Sequence, residues 1–190
     1  MTQLIENSKL LSKEAIIQVD SLFKKLRREV ERLNYDLDKK VFQFPKLPKL
    51  LTESTCFYLI EEKMILKDIV FDKLGPGEVF LKKDKAQPSD LMIEIGDKKF
   101  PIEIKATASE SRFSYLTEND VNAFILIFMD YYYYYQKGQP FVCVYPILNV
   151  SDYSLAPKTK KHILKFVQNH NIAPQRIDLN KLFQKWNKLT

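Results

Sequence analysis

The sequence is poor in cysteine, histidine and glycine, and each shortage makes a class of protein less plausible. Its 190 residues include two cysteines, two histidines and four glycines. Cys56 and Cys143 lie far apart in apolar segments, so neither a disulfide framework nor a zinc site is indicated. The histidines form no metal-binding pair, the glycines form no phosphate-binding loop, and no serine nucleophile elbow is present. Zinc enzymes, P-loop proteins and serine hydrolases are therefore disfavoured.

Long hydrophobic runs are also missing. The most apolar segment, AFILIFM at 123–129, is much shorter than the about 20 residues that a membrane span requires. The N-terminal segment does not show the basic and then apolar pattern of a signal peptide. We therefore expect a cytoplasmic protein without a membrane anchor.

The residues that are abundant predict a folded, basic domain. Hydrophobic residues make up 45% of the chain and charged residues 28%, which is typical of one globular domain over residues 1–190. Thirty Lys and Arg against twenty-four Asp and Glu give a formal charge of +6. This basic balance favours a polyanionic partner such as DNA.

The chain divides into three parts, and the first is dominated by a long amphipathic helix. We predict this helix from Ser12 to Lys40, followed by a proline-containing connector that ends near residue 50. Its apolar stripe has a heptad period, and its other faces are basic. Packing of the stripe on the core is expected, with a dimerisation seam or a DNA-backbone contact as alternatives. The stripe consists of Ile16, Val19, Phe23, Leu26, Val30, Leu33 and Leu37.

The second part, residues 51–150, is predicted to be the core, and the third, residues 151–190, to be helical. The fold class is α/β of the mixed α+β kind, with a small central mixed sheet flanked by helices. AFILIFM is assigned to a helix, with a strand as the competing assignment, because periodicity does not separate the two in so apolar a run. The predicted elements of the core are a helix at 52–69, a short strand after residue 77, a hairpin at 90–107, a helix at 118–137 and a strand at 140–147.

The hairpin carries charged residues in an otherwise apolar strand. DLMIEI and KFPIEIKAT flank a Gly-Asp-Lys turn at 96–98, which predicts two antiparallel strands. Side chains two residues apart on a strand point the same way, so Glu103 and Lys105 emerge together. Ile102 and Ile104 face the opposite layer. A half-buried charge needs a partner or a function. The structural alternative is an exposed hairpin in which Glu103 and Lys105 only form a salt bridge.

The chemistry of phosphodiester hydrolysis accounts for these residue types. Hard carboxylate oxygens such as those of Asp90 and Glu103 suit Mg²⁺, which stabilises negative charge on the transition state. A lysine on the same face, Lys105, can orient or help to deprotonate the attacking water. Other acid-x-Lys triplets occur in the chain, but they lie in the turn or on predicted helices with solvated faces.

PSD at 88–90, the hairpin, and EIK at 103–105 together resemble the signature of the PD-(D/E)xK nuclease superfamily, which includes many restriction endonucleases and DNA-repair nucleases. In that family, an aspartate at the start of one strand and an acid-x-lysine on the next converge at an open end of the sheet, which a helix approaches. The order of predicted elements is similar over residues 50–150. A serine separates the proline from the aspartate here, which departs from the family pattern.

The resemblance implies a restriction-endonuclease-like core and a particular set of ligands. Asp90 and Glu103 would bind Mg²⁺, the carbonyl of Ile104 would also coordinate the metal, and an acid from the preceding helix would complete the shell. Glu53 is the expected helix acid, with Glu61 as its rival.

The resulting functional hypothesis is a Mg²⁺-dependent endonuclease that cuts double-stranded DNA, most simply a type II restriction enzyme acting as a homodimer, since cutting both strands requires two sites. A repair or recombination nuclease of the junction-resolvase kind is the nearest alternative. A non-catalytic DNA-binding protein is the alternative from another class. The Ser-rich loop at 107–116, with Arg112, is either a phosphate or base contact or a plain connector.

Overall fold

The computed structural model describes residues 10–75, 77–81, 90–112, 114–117, 123–150 and 162–188. Within these ranges, six strands form one mixed β-sheet in which strand order follows chain order. Only β3 and β4 run parallel; each other neighbouring pair is antiparallel. The strands are β1 (Glu78–Leu81), β2 (Leu91–Ile95), β3 (Lys98–Thr107), β4 (Ile125–Asp130), β5 (Phe141–Leu148) and β6 (Gln175–Asp178).

Helices cover both faces of this sheet, so the fold class is mixed α+β as predicted. No helix in the described part of the chain is long and apolar enough to cross a membrane. The helices are α1 (Lys13–Asp36), α2 (Lys49–Glu61), a π turn (Lys67–Phe71) that continues into the short α3 (Asp72–Leu74), α4 (Tyr132–Gln136), α5 (Ile163–Asn169) and α6 (Leu179–Asn187).

Two hydrophobic clusters lie on opposite faces of the sheet because successive strand residues alternate between them. Ile102 and Ile104 of β3 belong to the larger cluster, which includes residues of α1, α2 and α6. Leu126 and Phe128 of β4 belong to the smaller cluster, which α5 closes. The prediction that the isoleucines of β3 face the layer opposite to its charged residues is therefore consistent with the packing.

The predicted helix at 118–137 is wrong. Residues 125–130 form β4, the competing assignment for this apolar run, and a helix follows only at Tyr132–Gln136. All six residues of β4 are buried, with neighbours β3 and β5 on its two sides, so a strand here satisfies its backbone hydrogen bonds and hides both faces. Residues 118–122, the first part of the predicted helix, lie outside the described residues.

The helix predicted at 52–69 begins earlier and ends earlier, as α2. Pro48 occupies its N-cap position, where the missing N–H of proline costs no helical hydrogen bond. The chain then leaves the helix through Lys63 and Leu66, which both have positive φ angles of 54° and 63°. This left-handed backbone breaks the continuous helix that the apolar spacing predicted.

The predicted N-terminal helix is present, but only its first half packs as the stripe predicted. Ile16 and Phe23 are buried, whereas Leu26, Leu33 and Leu37 are exposed. After Phe23, the face of α1 that packs against the rest of the protein no longer coincides with the heptad stripe. A run of apolar side chains on α1 is therefore left in contact with solvent.

The run of five tyrosines at 131–135 contributes to packing, with two of its side chains buried and three partly buried. Tyr131 and Tyr134 are almost fully buried. The hydroxyls of Tyr134 and Tyr135 donate hydrogen bonds of 3.0 and 2.6 Å to the buried carboxylate of Asp20 on α1. These bonds fix α1 to α4 and satisfy a carboxylate that would otherwise be costly to bury.

Candidate active site at the edge of strand β3

The candidate site lies where β3 extends beyond the end of its neighbour β2. The ladder between the two strands runs from Ile95 opposite Lys98 to Leu91 opposite Ile102. Residues 103–107 of β3 continue beyond that ladder and pair with β4. Glu103 and Lys105 therefore lie at a strand edge, where side chains from other elements can approach.

Asp90 is held against this edge by two hydrogen bonds. Its backbone N–H donates to the carbonyl of Ile102 over 3.0 Å. Its Oδ2 accepts from the backbone N–H of Ile104 over 2.8 Å. The two contacts lie on either side of Glu103 in the chain, so Asp90 is fixed beside the backbone of that residue. Because the N–H and C=O of a strand residue point to the same side, the carbonyl of Ile104 also faces this edge.

The first turns of α2 bring a lysine and a second carboxylate to Asp90. Lys49 Nζ lies 2.8 Å from Asp90 Oδ1 and 3.1 Å from Glu53 Oε1. The two carboxylate side chains are only 8% and 16% exposed, respectively. Lys49 and Glu53 are four residues apart on the helix, a spacing that puts them on one face. Two largely buried carboxylates thus share one cation.

The electrostatics of this cluster follow from burial and like charge. Burial raises the pKa of Glu53, and the neighbouring Asp90 carboxylate raises it further, against the opposing effect of Lys49. The pKa of Lys49 is raised, chiefly by its hydrogen bond to Asp90. An additional positive charge at this position would relieve the repulsion between the two carboxylates.

Glu103 and Lys105 form the other half of the site. Lys105 Nζ lies 3.9 Å from Glu103 Oε1, and the two side chains are 26% and 12% exposed. Their cross-strand partners on β4 are Leu126 and Phe128. They therefore project from the sheet face opposite to the one that α2 covers, and Asp90 lies at the strand edge between the two groups.

The structure brings Asp90, Glu53 and the backbone of Ile104 together, and it places Glu103 and Lys105 on the other face of the same strand. Glu53 lies beside Asp90, whereas its rival Glu61 is exposed at the far end of α2, eight residues or about 12 Å along the helix axis. Sequence reasoning missed Lys49. Its position four residues before Glu53 was the available signal, but only the fold shows that Asp90 joins the pair.

The loop after β3 divides into a structural part and an exposed part. Arg112 donates from Nε to Oδ2 of the buried Asp130 over 2.9 Å, so this arginine secures the end of β4. The hydroxyl of Ser109 lies within 3.3 Å of those of Thr107 and Ser111. A phosphate contact by this loop is therefore better sought at its serines than at Arg112.

The residues at the β3 edge have the donor types that Mg²⁺ prefers. Asp90 and Glu53 already share a cationic group, the Lys49 ammonium, and hard oxygen donors are the usual ligands of Mg²⁺. Across the described ranges, however, no three acidic, histidine or cysteine side chains are grouped as a complete metal site. The fit to Mg²⁺ therefore rests on a pair of carboxylates, with Glu103 and the Ile104 carbonyl as neighbouring oxygens.

Comparison of the chain with protein-family models, with curated proteins and with solved structures gave no match. What the protein does is therefore inferred from the site itself.

Proposed function

We propose that the protein is a Mg²⁺-dependent endonuclease acting on double-stranded DNA. The observation that carries this proposal is the pair of largely buried carboxylates, Asp90 and Glu53, that share one cation at the edge of β3. Glu103 and Lys105 lie on the adjoining segment of β3, with their side chains on the other face of the sheet. These residue types suit a metal-assisted phosphodiester hydrolase, and they support the resemblance to PD-(D/E)xK nucleases.

Each residue has a distinct part in the proposed reaction. Asp90 and Glu103 would hold Mg²⁺ together with the carbonyl of Ile104, and Glu53 would complete the acidic shell. Bound there, Mg²⁺ supplies positive charge to the scissile phosphate and its leaving oxygen. Lys105 orients the attacking water: as a neutral amine it would accept the proton that the water gives up, and as an ammonium it would instead offset the charge of the phosphate.

Lys49 acts as an internal counter-ion in this proposal. Its ammonium neutralises Asp90 and Glu53 while no metal is bound, and its side chain is 72% exposed. Displacing the ammonium costs little only where another cation takes its place, because the two carboxylates are largely buried and a buried charge left unpaired is costly. Lys49 can therefore move aside for a divalent ion, or toward a phosphate oxygen.

The substrate and assembly follow from charge and symmetry. The net charge of +6 favours a polyanion, and DNA is the substrate of the nucleases that the motif resembles. A chain with one such site cuts both strands most simply as a twofold dimer, as a type II restriction enzyme does. The exposed half of the heptad stripe on α1 offers a surface for that dimer.

Supercoiled plasmid incubated with Mg²⁺ tests the proposal. We expect cleavage by the wild-type protein, its loss in Asp90→Ala and in Glu103→Ala, and near-normal cleavage in Asp97→Ala, a matched loss of a carboxylate in the exposed hairpin turn. DNA binding should persist or improve in the two site variants, because removing a carboxylate lessens repulsion of phosphate.

The pattern of products separates the alternatives. Discrete fragments support a restriction enzyme, and nicking confined to branched DNA supports a repair or recombination nuclease. DNA binding without cleavage by the wild-type protein would point to a non-catalytic DNA-binding protein. Normal turnover of Asp90→Ala or Glu103→Ala would refute the site assignment.

A further inference from the structure

Arg27 on α1 is a buried cation with an unused hydrogen-bonding group. The residue is 5% exposed, and its Nη2 is buried without a hydrogen-bond partner in the described part of the chain. A buried guanidinium nitrogen without a partner destabilises the fold, because no hydrogen bond offsets its loss of hydration. Such a group in a native fold calls for an explanation, and a ligand is one.

The arginine is positioned by aromatic stacking, which leaves its edge available. Its Cζ lies 4.4 Å from the ring centre of Phe44 and 5.7 Å from that of Phe23. Contacts with ring faces hold the plane of a guanidinium without using its N–H groups. A planar fork of N–H donors is well suited to two oxygens of one phosphate group.

Arg27 lines a cavity of about 650 Å³ between α1, the connector at 44–47 and the end of β3. This volume is in the range of pockets that hold a small molecule. The lining also includes Thr107, Ser109 and Ser111, whose hydroxyls are of the kind that binds phosphate oxygens. Lys46 adds a second positive charge to the lining.

Charge near the cavity favours an anion overall. Glu110 also lines it and is the opposing group. A smaller cavity of about 200 Å³ shares Arg27 with the first and adds Lys24, Arg28 and Glu31. Together the two linings hold four cations and two carboxylates. Burial lowers the pKa of Arg27, which a bound anion would oppose.

The cavity also lies next to the candidate active site along β3. Its lining begins at Ala106, the residue after Lys105. A strand rises about 3.3 Å per residue, and β3 ends at Thr107, so its two lining residues, Ala106 and Thr107, lie about 3 and about 7 Å beyond Lys105. Neighbouring phosphates of one DNA strand rise about 3.4 Å along the duplex axis. A strand cut at the site therefore has further phosphates within reach of this cavity.

We propose that Arg27, with the hydroxyls of Ser109 and Ser111, binds a phosphate group of the nucleic acid strand whose scissile phosphate lies at the β3 edge. The assignment of that strand rests on the proposed nuclease function. The phosphate site itself rests only on the cavity and its buried arginine.

Thermal unfolding with inorganic phosphate tests the phosphate site directly. Phosphate, compared with chloride at equal ionic strength, should raise the Tm of the wild-type protein but not that of Arg27→Met. The matched control is Arg32→Met, which removes an exposed arginine of the same helix that pairs with Glu29 and Asp36. It should respond to phosphate as the wild type does. An equal rise in all three proteins overturns the proposal.

The variant should fold, because the Nη2 that it loses has no partner within the described residues. If Arg27→Met unfolds, Arg27→Lys retains the charge but lacks the planar fork, so its response to phosphate should still be smaller than that of the wild type. A full response in Arg27→Lys overturns the proposal.

Binding of a labelled duplex in the absence of Mg²⁺ tests whether the phosphate belongs to the substrate. Loss of one phosphate contact should reduce the slope of log K against log salt by about 0.9 in Arg27→Met and leave it unchanged in Arg32→Met. An unchanged slope in Arg27→Met overturns the assignment to the nucleic acid strand. Phosphate binding by a wild-type protein that fails to cleave DNA refutes the nuclease proposal alone.

Discussion

Lys105 lies in a half-buried position beside an acidic partner, and both a catalytic and a structural role fit a distance of 3.9 Å from Glu103. If Lys105 positions the attacking water, Lys105→Met should slow the chemical step by roughly 10²-fold or more, with fold and metal affinity nearly unchanged. Lys105→Arg should not restore the rate, because a guanidinium stays protonated and places its charge differently.

Single-turnover cleavage at saturating Mg²⁺, with thermal unfolding alongside, measures this effect. Lys99→Met is the matched control, since Lys99 lies on the same hairpin, 3.6 Å from Glu94, and is 62% exposed. It should cleave normally. A Lys105→Met protein that also cleaves normally, or that loses activity only through unfolding, would make Lys105 a structural partner of Glu103.

The residues of the site were predictable to different degrees for a physical reason. Glu103 and Lys105 stood out because charges in an apolar strand are unusual, and Asp90 because it precedes the paired strand. Lys49 and Arg27 look like ordinary basic residues of amphipathic helices. Their importance depends on which other elements pack against them, and sequence periodicity does not carry that information.

At the scale of elements, Glu62 connects three helices just after the end of α2. Its carboxylate accepts hydrogen bonds of 2.7 Å from Lys13 of α1 and from Lys185 and Trp186 of α6. Burial alone would raise the pKa of Glu62, but these hydrogen bonds outweigh burial and lower it. The contribution of Glu62 to stability is therefore fully present at pH values above its ordinary pKa. It is lost as the pH falls through the lowered pKa of the folded protein.

Glu62→Gln should accordingly reduce the free energy of unfolding by about 1.5–3 kcal/mol at neutral pH, the range for hydrogen bonds to a charged group. The difference from the wild type should shrink as the pH falls below 4.5, the ordinary value for this group. Chemical denaturation across pH measures both. Glu61→Gln, the exposed neighbour, should change stability little at any pH; a loss equal to that of Glu62→Gln would contradict the assignment.

Elements with a clear local signal were predicted, and those decided by tertiary context were not. The hairpin of β2 and β3 has a turn signal and alternating apolar residues, so it was found. β4 was assigned to a helix because an apolar run has no period, and its strand identity depends on the neighbours that pair with it. β6 was missed because its four residues, QRID, carry almost no strand preference of their own.

At the scale of the whole molecule, the exposed part of α1 bears on assembly. Leu26, Leu33 and Leu37 are 51%, 37% and 50% exposed, although they continue the heptad stripe whose first half is buried. Apolar residues at heptad spacing on an exposed helix are typical of a helix–helix seam. A twofold dimer would pair this stripe with itself, because both protomers present the same surface.

The double variant Leu26→Glu/Leu33→Glu should therefore be monomeric. Removing two leucines that the dimer would bury and adding charge should weaken association by roughly 10²-fold or more, since burying one leucine contributes about 1.5–3 kcal/mol. Cleavage should change in kind as well as rate: a monomer with one site cuts one strand at a time, so nicked plasmid should accumulate before linear plasmid. Sedimentation velocity and a plasmid time course measure the two effects.

Tyr35→Glu, on the same helix but off the stripe and 84% exposed, should leave both association and the cleavage pattern unchanged. A double variant that remains dimeric, or a wild-type protein that is monomeric when it linearises plasmid, would exclude this seam as the basis of double-strand cleavage.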